Sequence, residues 1–204
     1  MNFELVVATK NKKKLEEIKE ILKGFNLRIS SLADYLKTPR IIENGKTFKA
    51  NAIKKAVKAA RFTKKLTLGE DSGLCINTLD GAPGVYSSRF SGKDKDDQKN
   101  NLKVLRLLNS LALKKRRAHY VCAVALADKD GLIGVVEGKC FGLIGFKGKG
   151  SFGFGYDPLF IIPKYKKTFS QLGERIKHKM SHRYIALEKA KRIIKKYIEK
   201  QKAS

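Results

Sequence analysis

Leu66-Thr67-Leu68-Gly69-Glu70-Asp71-Ser72-Gly73 is the stretch whose reading decides the fold. Its first half is a short apolar run of the kind that forms a buried strand. Its second half sets two adjacent carboxylates, a hydroxyl and a glycine at the end of that strand, where a hard cation and a phosphate can meet. In an extended segment successive side chains point to opposite faces. Glu70 and Asp71 therefore cannot both look to one side of a regular strand. A turn at Gly73, where glycine tolerates the necessary backbone angles, is expected to re-aim them. On these residues alone a solvated acidic turn competes with a catalytic one.

Upstream, Phe3 to Ala8 reads as another buried strand, and Leu15, Ile18, Leu22 and Phe25 follow at helical spacing with Gly24 near the stop. Between them lies Thr9-Lys10-Asn11. Strand, polar loop, helix is a layout in which backbone N–H groups at the helix start can hold an anion, although the Walker spacing is absent. Leu27 to Ser30 is a candidate strand, and residues 31–44 look irregular. Thr47 can cap a helix carrying Phe48, Ala52, Ile53, Ala56, Val57 and Ala60 on one face.

Downstream, Cys75 to Thr78 is expected to be extended, before the turn cluster Asp80-Gly81-Ala82-Pro83-Gly84. Asp94 or Asp96 starts a helix with an apolar stripe of Leu102, Leu105 and Leu108. His119 to Ala127 and Leu132 to Ile144, joined at Asp130-Gly131, read as a long hairpin. Five glycines fall between 145 and 155. Leu159 to Ile162 is a last strand, Pro163 to Met180 looks irregular, and Ser181 caps a final helix with Ala186, Ala190, Ile193, Ile194 and Tyr197 inward. Helices early and late with hairpins between them predict an α/β protein: a mixed central sheet flanked by helices, in two lobes around a cleft.

The 204 residues suit one domain with two lobes, and 42% hydrophobic with 31% charged residues is ordinary globular composition. The charge is not ordinary. Forty-five Lys and Arg against nineteen Asp and Glu leave +26, which attracts polyanions. The lysines are dispersed, however, and no basic block is interleaved with aromatics as a single-strand platform would be. Nucleic acid is therefore not the expected partner. Three cysteines without a CxxC pair predict free thiols in a reducing compartment. The apolar run Leu5–Ala8 is too short for a signal segment, and no run approaches a membrane span. A cytoplasmic protein is expected.

Four groups carry convergent chemistry. Thr9, Lys10, Asn11, Lys12, Lys13 and Lys14 offer donors and cations at a helix start, or simply an ordinary capped basic helix. Glu43 with the Glu70/Asp71 pair offers carboxylates of the number that Mg²⁺ takes beside waters and substrate phosphates. Phe154-Gly155-Tyr156-Asp157 puts two aromatics around a glycine, suited to a flat ring, although Phe152 and Phe154 can equally be core. Lys177, His182 and Arg183 surround the start of the last helix, where a lone histidine is more often a cap than a catalyst.

Together these point to a nucleoside triphosphate, and the chain resembles the inosine triphosphate pyrophosphatase family. The motifs run in family order: Ala8-Thr9-Lys10-Asn11 with Lys14; Glu43-Asn44-Gly45-Lys46-Thr47-Phe48 with Asn51-Ala52; Glu70-Asp71-Ser72-Gly73-Leu74; Gly81 to Arg89; Gly153 to Pro158; and Met180-Ser181-His182-Arg183. The resemblance implies an elongated α/β fold, a homodimer, and hydrolysis of dITP, ITP and XTP to monophosphate and pyrophosphate with Mg²⁺. It implies that Thr9, Asn11 and Lys14 grip the triphosphate, with Arg89 a further candidate. Asp71 would be the general base and, with Glu43, a metal carboxylate, while Ser72 would touch substrate. Phe154, Gly155, Tyr156, Asp157, Lys177, His182 and Arg183 would form the base pocket. The chain departs from common relatives at Lys10 and Lys13, often glycine, and at Ala50, often glutamate.

Overall fold

The computed structural model describes residues 3–203. Its strands are β1 (Phe3–Val7), β2 (Leu27–Ser31), β3 (Leu66–Ile76), β4 (Arg117–Asp128), β5 (Gly131–Ile144), β6 (Phe160–Ile162) and β7 (Lys167–Thr168). The helices are α1 (Lys12–Ile21), α2 (Phe48–Thr63), α3 (Asp97–Leu107), α4 (Phe169–Leu172), α5 (Glu174–Lys177) and α6 (His182–Ala203). The strands form one mixed sheet in the order β2-β1-β3-β4-β5-β6-β7. The α/β architecture expected from the alternation of strand and helix is the one observed.

Two compact units make up the chain: Met1–Asp71, Cys122–Gly138 and Arg183–Ser204 form the first, Ser72–Val121 and Lys139–His182 the second. In the first, β1 pairs in parallel with both β2 and β3, because helical crossovers return the chain to the same end of the sheet. Leu5, Val7, Leu66, Leu68, Cys122, Val124 and Leu126 bury one face of its strands against Ile18 and Ile21 of α1, its C-cap Leu22, and Ala186, Leu187, Ala190 and Ile194 of α6. The residue alternating with Leu68 is Gly69, and it faces α2. A Cβ there would lie 2.3 Å from the Ala52 carbonyl oxygen and 2.5 Å from the Ala56 nitrogen. Only glycine lets strand and helix backbones approach so closely.

In the second unit β6 pairs antiparallel with β5 and with β7. Leu74, Ile76, Val104, Leu108, Tyr120, Cys140, Phe160 and Phe169 belong to its core.

Three local expectations need correction. β3 does not turn at Gly73 but runs extended from Leu66 to Ile76, so the acidic pair stands mid-strand with its side chains on opposite faces. In α3 the buried positions are Asn100 and Val104, with Leu108 at the C-cap, while Leu102 is exposed. Asn100 earns its interior place by accepting from the Ser91 N–H and hydroxyl through one oxygen (2.7 and 2.8 Å), which a search for apolar periodicity passes over. The segment after Pro163 is ordered into β7, α4 and α5. Thr168 and Gln171 form a capping box there, and four-residue helices are too short to display a period.

Candidate active site

In the first unit the chain leaves β1 into the polar loop. The Asn11 N–H donates to Thr9 Oγ1 (3.1 Å), and Asn11 Oδ1 accepts the Lys14 N–H (3.2 Å) as the N-cap of α1. Ser31 anchors the loop by donating to the Thr9 carbonyl (2.8 Å). Lys10, Lys12 and Lys13 are exposed, and the first turn of α1 holds no acidic residue. The helix start therefore presents the positive end of its dipole and three exposed ammonium groups.

β3 supplies carboxylates to both of its faces. Glu70, buried, meets Lys14 Nζ (3.1 Å) and the Arg183 guanidinium (3.2 Å), and accepts from the Cys122 thiol (3.4 Å). Arg183 also pairs with the buried Glu17 of α1. Burial alone would lower the arginine's pKa, but Glu70 and Glu17 outweigh it and hold the guanidinium charged. Cys122, by contrast, is pushed well up by burial and by Glu70.

Asp71 points the other way, to α2. Asn51 Nδ2 donates to its Oδ2 (3.1 Å) and Lys55 Nζ lies 3.2 Å from its Oδ1. Lys55 Nζ is at the same time 2.6 Å from Glu43 Oε2. Asn51 Oδ1 accepts the Gly45 N–H (2.7 Å), tying the loop that bears Glu43 to the same helix. A Cβ on Gly45 would come within 2.6 Å of that oxygen. Asn51 and Lys55 stand one helical turn apart, so both reach one strand residue. Burial raises the pKa of Asp71 against the pull of Lys55, Lys14 and Asn51. For Lys55 burial acts downward, but Asp71 and Glu43 outweigh it and the net shift is upward.

Two carboxylates converging on one ammonium are a donor set that suits Mg²⁺ completed by waters and phosphate oxygens. Among the described residues there is no larger cluster of acidic, histidine or cysteine side chains that could hold a metal by itself.

The second unit brings the aromatic motif together. Asp157 Oδ2 accepts the Phe154 N–H (3.0 Å) and pairs with Lys177 Nζ (2.7 Å), both side chains being buried. That ammonium lies 4.7 Å from the Phe154 ring centroid. The Gly155 N–H donates to Asp97 Oδ2 (2.7 Å) and its carbonyl accepts from Asn101 (2.9 Å). Gly155 has φ +62°, where glycine is strain-free. His182 stacks on Tyr120 with ring centroids 4.5 Å apart and planes 10° apart.

The expected residues thus divide between the units. Thr9 to Lys14, Glu43 and Asp71 belong to the first. Ser72, Phe154, Gly155, Tyr156, Asp157, Lys177 and His182 belong to the second. Within the expected base-pocket group, Tyr156 is buried and donates to the Ser87 carbonyl (2.7 Å), and Arg183 is committed to Glu17 and Glu70. Arg89 lies over the Tyr86 ring, 5.1 Å from its centroid. The reading from sequence missed Lys55, Glu17 and Tyr120. For Lys55 a signal existed: two polar residues, 51 and 55, at helical spacing among the alanines of a buried face. Glu17 and Tyr120 carried none.

An electropositive helix start beside a carboxylate-bearing parallel strand defines a class, the α/β proteins built to handle phosphorylated ligands. Residues 5–193 match the Ham1 family, and the chain belongs to that family. It is 46% identical over 200 residues to the dITP/XTP pyrophosphatase of Desulforamulus reducens, covering 98% of this chain and all of that protein. It is 45% identical to the dITP/XTP pyrophosphatase of Halalkalibacterium halodurans, over 91% of this chain and 95% of that one. The solved Ham1 protein of Coxiella burnetii superposes with a TM-score of 0.86 at 36% identity, covering 95% of this chain and 99% of that one. That of Staphylococcus aureus gives 0.85 at 34%, with the same coverage. The resemblance drawn from the motifs is borne out.

Proposed function

We propose that this chain hydrolyses the non-standard purine nucleoside triphosphates dITP, ITP and XTP between the α and β phosphates, releasing monophosphate and pyrophosphate. The full-length relatives named dITP/XTP pyrophosphatase support the substrate class. The observation that carries the chemistry is Asp71, a buried carboxylate held by Asn51 and Lys55 with Glu43 on the same ammonium.

In this reading Asp71 is the general base. Its burial raises its proton affinity, which brings a carboxylate closer to the range where base catalysis is efficient. Thr9, Asn11 and Lys14 hold the triphosphate, Lys10, Lys12 and Lys13 add attraction, and Ser72 touches the substrate. Water deprotonated by Asp71 attacks the α-phosphorus and pyrophosphate leaves. Mg²⁺, held by Glu43 and Asp71, would neutralise phosphate charge and stabilise that leaving group. A positioned base supplies only about 10²–10⁴ in rate, so the cations carry much of the remainder.

Phe154, Gly155, Tyr156 and Asp157, with Lys177, His182 and Arg183, form the base pocket in this reading. Arg183 and Tyr156 act by holding neighbours, given the partners they already have. Lys177, which also pairs with Asp157, or a backbone N–H is the donor to the oxygen at purine position 6 in this reading, and an amine there offers that donor no acceptor. Sites of that kind discriminate by about 10⁴ or more. The whole of residues 1–204 is one catalytic domain, acting in the cytoplasm as a homodimer. No helix among the described residues is long and apolar enough to cross a membrane.

Pyrophosphate release from ITP with Mg²⁺, against an EDTA control, tests the activity. Asp71→Asn should abolish most turnover while nucleotide still binds, and survival of turnover within a few-fold would place the base elsewhere. Comparable kcat/KM for ITP, XTP, GTP and ATP would show that position 6 is not read.

A further inference from the structure

Lys55 occupies an unusual position for a residue of α2. Its side chain is buried, and its ammonium is shared between Glu43 Oε2 at 2.6 Å and Asp71 Oδ1 at 3.2 Å. These are the two carboxylates assigned above to the divalent ion, and the inference rests on that assignment. The position of Lys55 is fixed from its own helix. The backbone of α2 is pressed against Gly69 at Ala52 and Ala56, and Asn51, one turn earlier, bonds Asp71 and Gly45. The ammonium therefore has little freedom to retreat without a substitute partner.

We propose that Lys55 is a resident cation that competes with the divalent ion for the Glu43 and Asp71 carboxylates. It keeps the nucleotide-free protein from binding metal tightly until a triphosphate arrives. The reasoning is electrostatic. Two carboxylates alone would make a strong divalent site in a partly desolvated setting. A fixed positive charge touching both of them cancels half of their charge and repels a second cation. A triphosphate offers Lys55 alternative anionic oxygens, so the same ligand that needs the metal also loosens the lysine's hold on the metal's ligands. Lys55 is then a positioning residue whose effect is read first in metal affinity.

The test uses Mn²⁺ as the probe, with free ion followed by electron paramagnetic resonance in nucleotide-free full-length protein at pH 8 and low salt. Lys55→Met should bind Mn²⁺ at least tenfold more tightly than the parent, and adding Glu43→Gln to it should undo the gain. Equal or weaker binding by Lys55→Met overturns the proposal. If Lys55→Met does not give a cooperative thermal transition, Lys55→Gln, neutral and hydrogen-bonding, is held to the same criterion. Glu43→Gln alone, saturated with a non-hydrolysable ITP analogue, separates the two readings. If it weakens Mn²⁺ binding while Lys55→Met fails to strengthen it, only the role of Lys55 falls. If Glu43→Gln changes Mn²⁺ binding in neither setting, the metal assignment falls and this inference with it.

Discussion

Gly69→Ala is the substitution in which fold and activity are most directly coupled. The added carbon would stand 2.3 Å from the Ala52 oxygen, 2.5 Å from the Ala56 nitrogen and 3.0 Å from the Ala56 Cα. All three are backbone atoms, so no rotamer change relieves the contact. Carbon needs roughly 3.5 Å or more, and β3 and α2 must part by about 1 Å. Overpacking a close-packed interior costs about 1–3 kcal/mol, occasionally more. A clash of backbone on backbone belongs at the upper end, about 3 kcal/mol. For a chain of this size that lowers Tm by about 6–12 °C. Asn51 and Lys55 each immediately precede one of the two alanines, so the same displacement draws them away from Asp71. A misplacement of that size costs about 10²-fold in turnover. Thermal unfolding by circular dichroism and pyrophosphate release from ITP measure the two effects. Gly134→Ala is the comparison, because its Cβ would meet only the flexible tip of Ile193 at 3.0 Å, and it should cost about 1 kcal/mol or less. A Tm for Gly69→Ala within about 2 °C of the parent, with kcat/KM within about threefold, would refute the argument that glycine is there to admit α2.

Lys177→Met and Asp157→Asn should each destabilise by about 3–5 kcal/mol, since each removes one charge of a buried ion pair, while the double variant recovers part of the loss. Urea unfolding of the four proteins in a double-mutant cycle measures this coupling. The acid limb of kcat/KM should lie above the ordinary aspartate value, because burial raises Asp71 and the base must be ionised. Removing the attraction of Lys55 in Lys55→Met should move that limb to higher pH. The same raised pKa means that the folded form binds more protons between the unfolded value and its own, so this group's contribution to stability falls as pH rises through that window. Asp71→Asn should remove that component from a plot of unfolding free energy against pH. Among the thiols, half-buried Cys75 should label first with a disulfide reagent. Cys122, and Cys140 with its pKa pushed by burial to about 12, should label only on unfolding, and early modification of Cys122 would contradict its place in the core.

Much of the site's local frame was legible in the chain. Asn11 and Thr47 cap their helices as their residue types predict, and the hairpin of β4 and β5 follows from two strand-like runs meeting at the turn Asp130-Gly131. These features depend on rules that act within a few residues, which a linear reading can apply. The motif set likewise identified the family, because its members recur in order. The reading failed at Gly73, where a glycine taken for a turn is one more extended residue. Inter-strand pairing, which no local rule contains, decides that outcome.

By itself, then, the sequence determined the longer elements, the caps of α1 and α2 and the chemical types available to a phosphate-handling site. Only the tertiary structure decided which charges meet. Arg183 is 166 residues from Glu17 and 113 from Glu70 in the chain, yet it bonds both. Lys55 reaches Glu43 and Asp71 because Gly69 lets α2 approach β3. The physical reason is that a buried charge must find a partner wherever packing supplies one. Which partner that is depends on which backbones lie within reach, and that is a property of the folded chain.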